Sequence, residues 1–174
     1  MGHLEIEGEG LDGDRVGDVA GRGDADGVVV EPPVQSLKTT ERAHYIEADA
    51  SNKFVFVPHV MPGNAIYQFH FDENTGQLAP NEPHIKAPEG EGPRHFCYHP
   101  SQKFIYVANE NGSTVTAYHF DNTKGTLAPF QTVSTLPPEG YEPGEEENSC
   151  SQIRITPNGL DDHQKAMPHH GGQR

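Results

Sequence analysis

From about Thr40 onward, apolar residues arrive in short bursts of strand length, and each burst is closed by a cluster of turn-forming residues. HYIEADASNKFVFVPHV and NAIYQFHFDENTGQLAP are two such stretches, punctuated at Asp49 to Asn52, Pro62 to Asn64 and Asp72 to Gly76. No part of this region sustains a 3.6-residue apolar period, so the pattern predicts strands and no helices. The stretch Gly92 to Asn111 shows the logic at its densest. Gly92-Pro93 marks a turn, HFCYH a short alternating run, PSQK a second turn, and FIYVA a buried strand rich in β-branched and aromatic residues. That is half of a four-stranded antiparallel unit.

The unit recurs. SNKFVFVPH followed by NAIYQFHFDENTGQLAP is echoed by SQKFIYVAN followed by TVTAYHFDNTKGTLAP, so that Ser51, Lys53 and Phe54 fall on Ser101, Lys103 and Phe104. Phe71, Asp72, Gly76 and Leu78 likewise fall on Phe120, Asp121, Gly125 and Leu127. The period is about 50 residues, and four short strands per period are the signature of a β-propeller blade. A third copy opens at SQIRITPNG, where Ile153, Ile155 and Pro157 take the places of Phe96, Tyr98 and Pro100. After Asn158-Gly159 the apolar alternation stops, and upstream of Arg42 no earlier blade is legible. The expected fold is therefore all-β: a partial β-propeller of about two four-stranded antiparallel blades plus the start of a third, where closed propellers have about 4 to 8. Two and a fraction blades leave open faces, through which self-association is expected.

Composition changes the picture mainly at the ends. Apolar content is 33% with 19 Gly and 15 Pro, low for a chain of 174 residues that is packed throughout. Residues 1–39 are dominated by Gly, Asp and Glu and are expected to form a disordered arm, with the blades at 40–159 and an irregular tail at 160–174. Within the arm, Asp12-Gly13-Asp14 and Asp24-Ala25-Asp26-Gly27 look like pieces of calcium loops, but neither completes the pattern with its distant glutamate. Arg22-Gly23-Asp24 is read as a coincidence of a Gly/Asp-rich tract. The acidic run Glu142 to Glu147 fits a solvated loop between blades.

A net charge of -14 argues against binding the phosphate backbone of nucleic acid. No apolar run approaches the ~20 residues of a membrane span, and the N-terminus has no basic region followed by an apolar one, so the expected location is the cytoplasm. Cys97 and Cys150 make neither a disulfide framework nor a CxxC metal site. His163, His169 and His170 in the tail lack companion ligands, and no metal or organic cofactor is expected.

Ligand groups converge where each blade's inner strand meets a propeller's central channel. Arg94 and His95 follow the Gly-Pro turn, and Asn109-Glu110-Asn111 ends the next strand. A guanidinium suits capture of a carboxylate or phosphate, while a carboxylate or imidazole serves as a base or polarises water. Together they suit hydrolysis or isomerisation of an anionic lactone. Each residue also has a structural reading: His95 as a hydrogen-bonded turn histidine, Arg94 as a salt bridge between blades, and Glu110 as a turn carboxylate.

The run GEGPRHFCYHPSQKFIYVANENGSTVTAYHFD, with QTVSTLPPEG downstream, resembles the lactonase family of seven-bladed β-propellers, which includes bacterial 6-phosphogluconolactonases and fungal carboxy-cis,cis-muconate cyclases. The family's GPRH turn, its strand ending in NE, its STV strand and its STLP segment occur here in order. The similarity covers residues 40–159 and is specific from Gly92 to Pro137. ERAHYIEADASNKFVFVPH resembles the family's earlier HAH-type element and puts His44 at its channel histidine. The resemblance implies that Arg94 binds the substrate's anionic group or lactone carbonyl, that Glu110 acts in acid/base chemistry and that His44 completes the cluster, with His95 and Asn109 beside the substrate. The arginine that the family places after the next strand has no counterpart here, and family members are typically twice this length, so the chain is expected to be a fragment or an aberrant gene model. The expected activity is opening of a sugar δ-lactone, as in 6-phosphogluconolactonase. The alternatives are a non-catalytic propeller fragment and a muconate-type cyclase.

Overall fold

The computed structural model describes residues 18–23, 29–137 and 149–159. It contains eleven strands and no helix among them: β1 (Asp18–Gly23), β2 (Val29–Leu37), β3 (Glu47–Ala48), β4 (Phe54–His59), β5 (Ala65–Asp72), β6 (Gln77–Pro80), β7 (Ile85–Lys86), β8 (Pro93–Tyr98), β9 (Phe104–Asn109), β10 (Thr114–Asp121) and β11 (Thr126–Ser134). Strands β3 to β6 form one antiparallel blade, to which β7 adds by pairing with β5, and β8 to β11 form a second with strand order β11-β10-β9-β8. No helix among the described residues is long and apolar enough to cross a membrane. The calcium-like fragments, the acidic run Glu142 to Glu147 and the tail histidines lie wholly or largely outside the described residues.

The repeat in the sequence is a repeat of local geometry. Asp72 and Asp121 close the turns after β5 and β10 in the same way. Each carbonyl accepts the amide four residues on, from Gly76 and Gly125, at 2.7 Å, and each carboxylate accepts the amide two residues on, from Asn74 at 2.9 Å and Thr123 at 3.0 Å. Gly76 and Gly125 have φ of 76° and 68°, the left-handed region that favours glycine. A Cβ on Gly125 would also collide with the Phe54 ring of the first blade, so this glycine is required by the seam as well as by the turn.

Face-to-face packing of the blades buries the main core. Phe54, Phe56 and Ile66 from the first blade meet Phe96, Ile105, Val107, Tyr118, Phe120 and Leu127 from the second. Phe56 packs edge-on against Phe120 and Phe96, with ring centroids 5.5 Å and 6.2 Å apart, the geometry aromatic quadrupoles favour. Polar side chains cross the same seam, among them Asn81, whose amide donates to the Lys124 and Gly125 carbonyls at 2.8 Å and 3.0 Å, and Gln68. Gln68 is buried on β5, accepts the Leu127 amide at 2.9 Å and donates to the Pro83 carbonyl at 2.8 Å.

The same clamp reveals what precedes the first blade. Gln35 on β2 accepts the Leu78 amide at 2.7 Å and donates to the Leu78 carbonyl at 2.9 Å, and Leu78 is the repeat equivalent of Leu127. Thus β2 stands to the first blade as β5 stands to the second. Regular structure begins inside the arm read as disordered, where β1 and β2 pair antiparallel with a bulge between Ala20 and Arg22. Sparse apolar residues among Gly and Asp concealed it: the clamp depends on a single glutamine, which apolar periodicity does not register. At the other end, residues 151–156 form no strand, but Ile153 is buried against Ala108 and Val115 of the second blade.

His59 ends β4, fully buried, with Nδ1 3.1 Å from the Glu41 carbonyl oxygen and Nε2 without a partner among the described residues. Burial pushes its pKa down to about 4.

Two predictions follow from these contacts. Gln68→Ala strands the buried Leu127 amide and lowers unfolding free energy in urea by about 1–3 kcal/mol, more than Gln35→Ala at the partly exposed seam; equal losses would count against the clamp. His59 is neutral in the fold and protonates near 6.5 when unfolded. Its contribution is therefore complete above pH 6.5 and is lost as pH falls towards 4. Urea midpoints at pH 7.5 and 5 should differ less in His59→Phe than in the parent chain.

Candidate active site

Register aligns the inner strands of the two blades. Glu47 pairs with Phe56 and Cys97 with Tyr106, while the bridge between Ala43 and His59 corresponds to the pair of Pro93 with Asn109. His44 and Arg94 are therefore equivalent positions, as are Tyr45 and His95. The entry to each strand repeats too. The Val60 amide donates to the Arg42 carbonyl at 3.2 Å and the Glu110 amide to the Gly92 carbonyl at 2.8 Å. Arg42 and Gly92 both have positive φ, 59° and 65°. Around Gly92 the space is full: its amide donates to Asn64 Oδ1 at 2.9 Å, and a Cβ would collide with the Asn111 side chain.

A bulge then aims the reactive side chains. Pairing with β9 shifts between Pro93 and His95, which leaves Arg94 as the extra residue. In a regular strand Arg94 and His95 would point to opposite faces; a bulge re-aims one of them. Both consequently reach the region of His44. The His95 and His44 rings lie 5.2 Å apart at their centroids, and Tyr45 stacks on His95 at 4.6 Å and 23°.

Arg94 joins the second blade to the third segment. Its Nε lies 2.6 Å from Glu110 Oε2, with side chains 15% and 26% exposed, and Nη1 donates to the Ser151 carbonyl. The Nε–H is not aligned on the carboxylate, so this contact is an ion pair. The Cys150 amide donates to the Glu110 carbonyl at 3.3 Å, which ties the same segment to the end of β9.

Both histidines are held neutral. Burial, then the charge of Arg94, lowers the His44 pKa, against a smaller opposing pull from Glu110. For His95, burial followed by His44, Arg94 and Arg154 brings it down to about 4. A neutral imidazole offers one donor and one acceptor nitrogen, and His44 Nδ1 is buried without a partner among the described residues. The site thus contains a guanidinium, a carboxylate paired with it and two neutral imidazoles, a set able to bind an anion or carbonyl oxygen and to move a proton.

Of the five residues singled out from sequence, four converge: His44, Arg94, His95 and Glu110. Asn109 does not join them. Its side chain is 1% exposed, and its amide donates to Thr114 Oγ1 at 2.8 Å and Thr116 Oγ1 at 2.9 Å inside the second blade. The repeat gave the signal: Asn109 takes the place of His59, also fully buried. Sequence reading missed Tyr45, which stacks on His95, and the Ser151 carbonyl, which anchors Arg94. The first was findable as the repeat partner of His95, whereas a backbone acceptor leaves no trace in side-chain chemistry.

Below this cluster a cleft of about 430 Å³ runs along the inner segments of three successive repeats, among its walls Tyr45 and Glu47, then His95 and Tyr98, then Gln152 and Arg154. Among the described residues no group of three or more His, Cys, Asp or Glu side chains is arranged to hold a metal ion.

Comparison with known proteins bears on the fold and the family. The family model described as lactonase, 7-bladed beta-propeller matches residues 18–160, beginning at β1. A 6-phosphogluconolactonase of Pectobacterium carotovorum is 34% identical over 136 residues, covering 78% of this chain and 39% of that protein. One from Erwinia tasmaniensis is 33% identical over 128 residues, covering 73% and 36%. The chain therefore spans about two-fifths of the length of these relatives. Among solved structures, a Pseudomonas aeruginosa periplasmic gluconolactonase superimposes with a TM-score of 0.69 at 17% identity, covering 91% of this chain and 44% of that one. A Lactobacillus plantarum protein does so with a TM-score of 0.70 at 19% identity, covering 82% and 42%. The chain belongs to the lactonase family of seven-bladed β-propellers.

Proposed function

We propose that this chain carries the reacting part of a lactone-hydrolysing channel and opens a sugar-acid δ-lactone, as its 6-phosphogluconolactonase relatives are named for doing. The observation that carries the reading is the Arg94–Glu110 pair at 2.6 Å, beside two imidazoles held neutral. In this scheme Glu110 takes a proton from a water molecule as its oxygen attacks the lactone carbonyl carbon. The carbonyl oxygen gains negative charge, which the Arg94 guanidinium stabilises. When the bond from the acyl carbon to the ring oxygen breaks, the ring oxygen takes the proton back from Glu110 and leaves as a hydroxyl, giving the open-chain acid. His44 and His95, being uncharged, orient water and substrate without competing with Arg94 for the anion. The substrate is an anionic lactone, the reaction consumes only water, and neither nucleic acid nor membrane has a role.

A second reading is favoured by one fact. The chain spans 39% of its Pectobacterium relative, and in the described residues the cleft is walled by only three successive repeats. Such a piece could serve as a non-catalytic module that associates through its blade faces.

Hydrolysis of 6-phosphogluconolactone by the purified chain, followed by proton release above the buffer blank, separates the readings. No excess over the blank removes the catalytic one. With activity present, Arg94→Ala and Glu110→Gln each lower kcat/KM by about 10²–10³-fold. The double variant falls little further, because the two groups act as one unit. Independent, multiplying losses would break the proposed pairing.

A further inference from the structure

Tyr45 stands between the aromatic core and the reacting cluster. It sits at the level of the first blade that His95 occupies in the second, and the two rings meet across the mouth of the seam, stacked at 4.6 Å and 23°. Two further contacts hold the tyrosine. Phe96, a member of the main core, packs edge-on against it at 5.1 Å and 77°. Its hydroxyl donates to Glu47 Oε2 at 2.9 Å. The chain leading into β3 already runs beside β4 from the bridge between Ala43 and His59, so positions 45 and 47 share a face as alternate residues of a strand do.

A ring held by stacking alone is free to slide and tilt. Here Phe96 restrains the edge of the Tyr45 ring and Glu47 restrains its tip. Burial, then the Glu47 charge, pushes the Tyr45 pKa up, so the hydroxyl stays protonated and keeps donating. With that hydroxyl directed at Glu47, Tyr45 acts on His95 through its ring. One face of the imidazole lies under the tyrosine, the His44 ring is 5.2 Å away, and the charges of His44, Arg94 and Arg154 bear on it. Covering that face keeps water off the imidazole and disfavours its charged form.

We propose that Tyr45 and Glu47 are positioning residues of the reacting cluster: Glu47 holds the Tyr45 hydroxyl, and the Tyr45 ring fixes the plane of His95 beside His44 and Arg94. The hydrolytic reading enters only in what His95 does, and the geometry alone in how it is held.

NMR titration of His95 in the full chain, its ring signal assigned by its loss in His95→Gln, reads this arrangement without turnover. The parent should titrate at about 4. Tyr45→Leu uncovers the ring and should raise that value by about 1 or more, towards 6.5. Tyr45→Phe keeps the packing on Phe96 but loses the tie to Glu47, and should raise it by less. Glu47→Gln keeps an acceptor for the hydroxyl and should retain the parent's value, whereas Glu47→Leu should match Tyr45→Phe. An unchanged His95 in either Tyr45 variant overturns the proposal, and so does Glu47→Gln behaving as Glu47→Leu does. Should Tyr45→Leu fail to fold, Tyr45→Phe decides by itself. Lactone hydrolysis on the same preparations separates this proposal from the catalytic one. The acid limb of kcat/KM should move to higher pH together with His95, because the scheme uses the neutral imidazole, and kcat in Tyr45→Leu should fall about tenfold with KM little changed. A pH profile that stays in place while His95 moves overturns the positioning role. The titration pattern without turnover in the parent supports the hold on His95 and removes the hydrolytic scheme.

Discussion

Everything in this molecule depends on the seam between neighbouring blades. A four-stranded sheet on its own has two faces and little to bury them against; stacking gives each face a partner. Here the seam is aromatic, with Phe54 and Phe56 of one blade set edge-on against Phe96 and Phe120 of the next. Aromatic packing is tolerant of small rotations, and the glutamine clamp removes that tolerance. Gln68 fixes β5 to the Leu127 amide, and Gln35 fixes β2 to Leu78, at matching points of successive seams. Burial supplies the driving force for stacking, and directed side-chain hydrogen bonds such as those of Gln68, Asn81 and Asn64 fix its register.

The candidate site inherits its precision from those seams. His44 belongs to the first blade, Arg94 and Glu110 to the second, and the Ser151 carbonyl that anchors Arg94 to the third repeat. The Arg94–Glu110 distance is set by strand pairing within the second blade, and the positions of His44 and Ser151 relative to that pair by how the repeats stack. The bulge at Arg94 adds the local correction, bringing two consecutive side chains towards one region.

Charge distribution explains why a guanidinium at this point matters. With 26 acidic and 12 basic residues, the chain as a whole repels anions. An anionic ligand needs a local cation shielded from competing carboxylates. Arg94 is partly buried and has a single paired carboxylate, while Arg154 faces the cleft from the adjacent repeat. Because burial and Arg94 together keep His44 and His95 uncharged, the cationic character is concentrated on arginine.

The all-β class, the blade repeat and the candidate residues Arg94, His95 and Glu110 were legible in the amino-acid order because each is a local or periodic property, whereas His44 was placed by resemblance to the family. Alternation marks strands, Asp-to-Gly spacing marks turns, and the GPRH and NEN segments carry their own chemistry. Three things were not legible. The pairing of β1 with β2 was hidden in a Gly/Asp-rich tract, since backbone pairing and a lone glutamine clamp do not need an apolar pattern. Asn109 reads like its neighbour Glu110 in a line of letters, yet strand alternation sends one side chain into the blade and leaves the other beside Arg94. The cleft walled by Tyr45, His95 and Arg154 exists only where three repeats meet. The sequence by itself determined which strands and turns form and which reactive groups are present. The tertiary structure alone decided which of those groups share a space, because that depends on a bulge and on the stacking of blades distant in sequence.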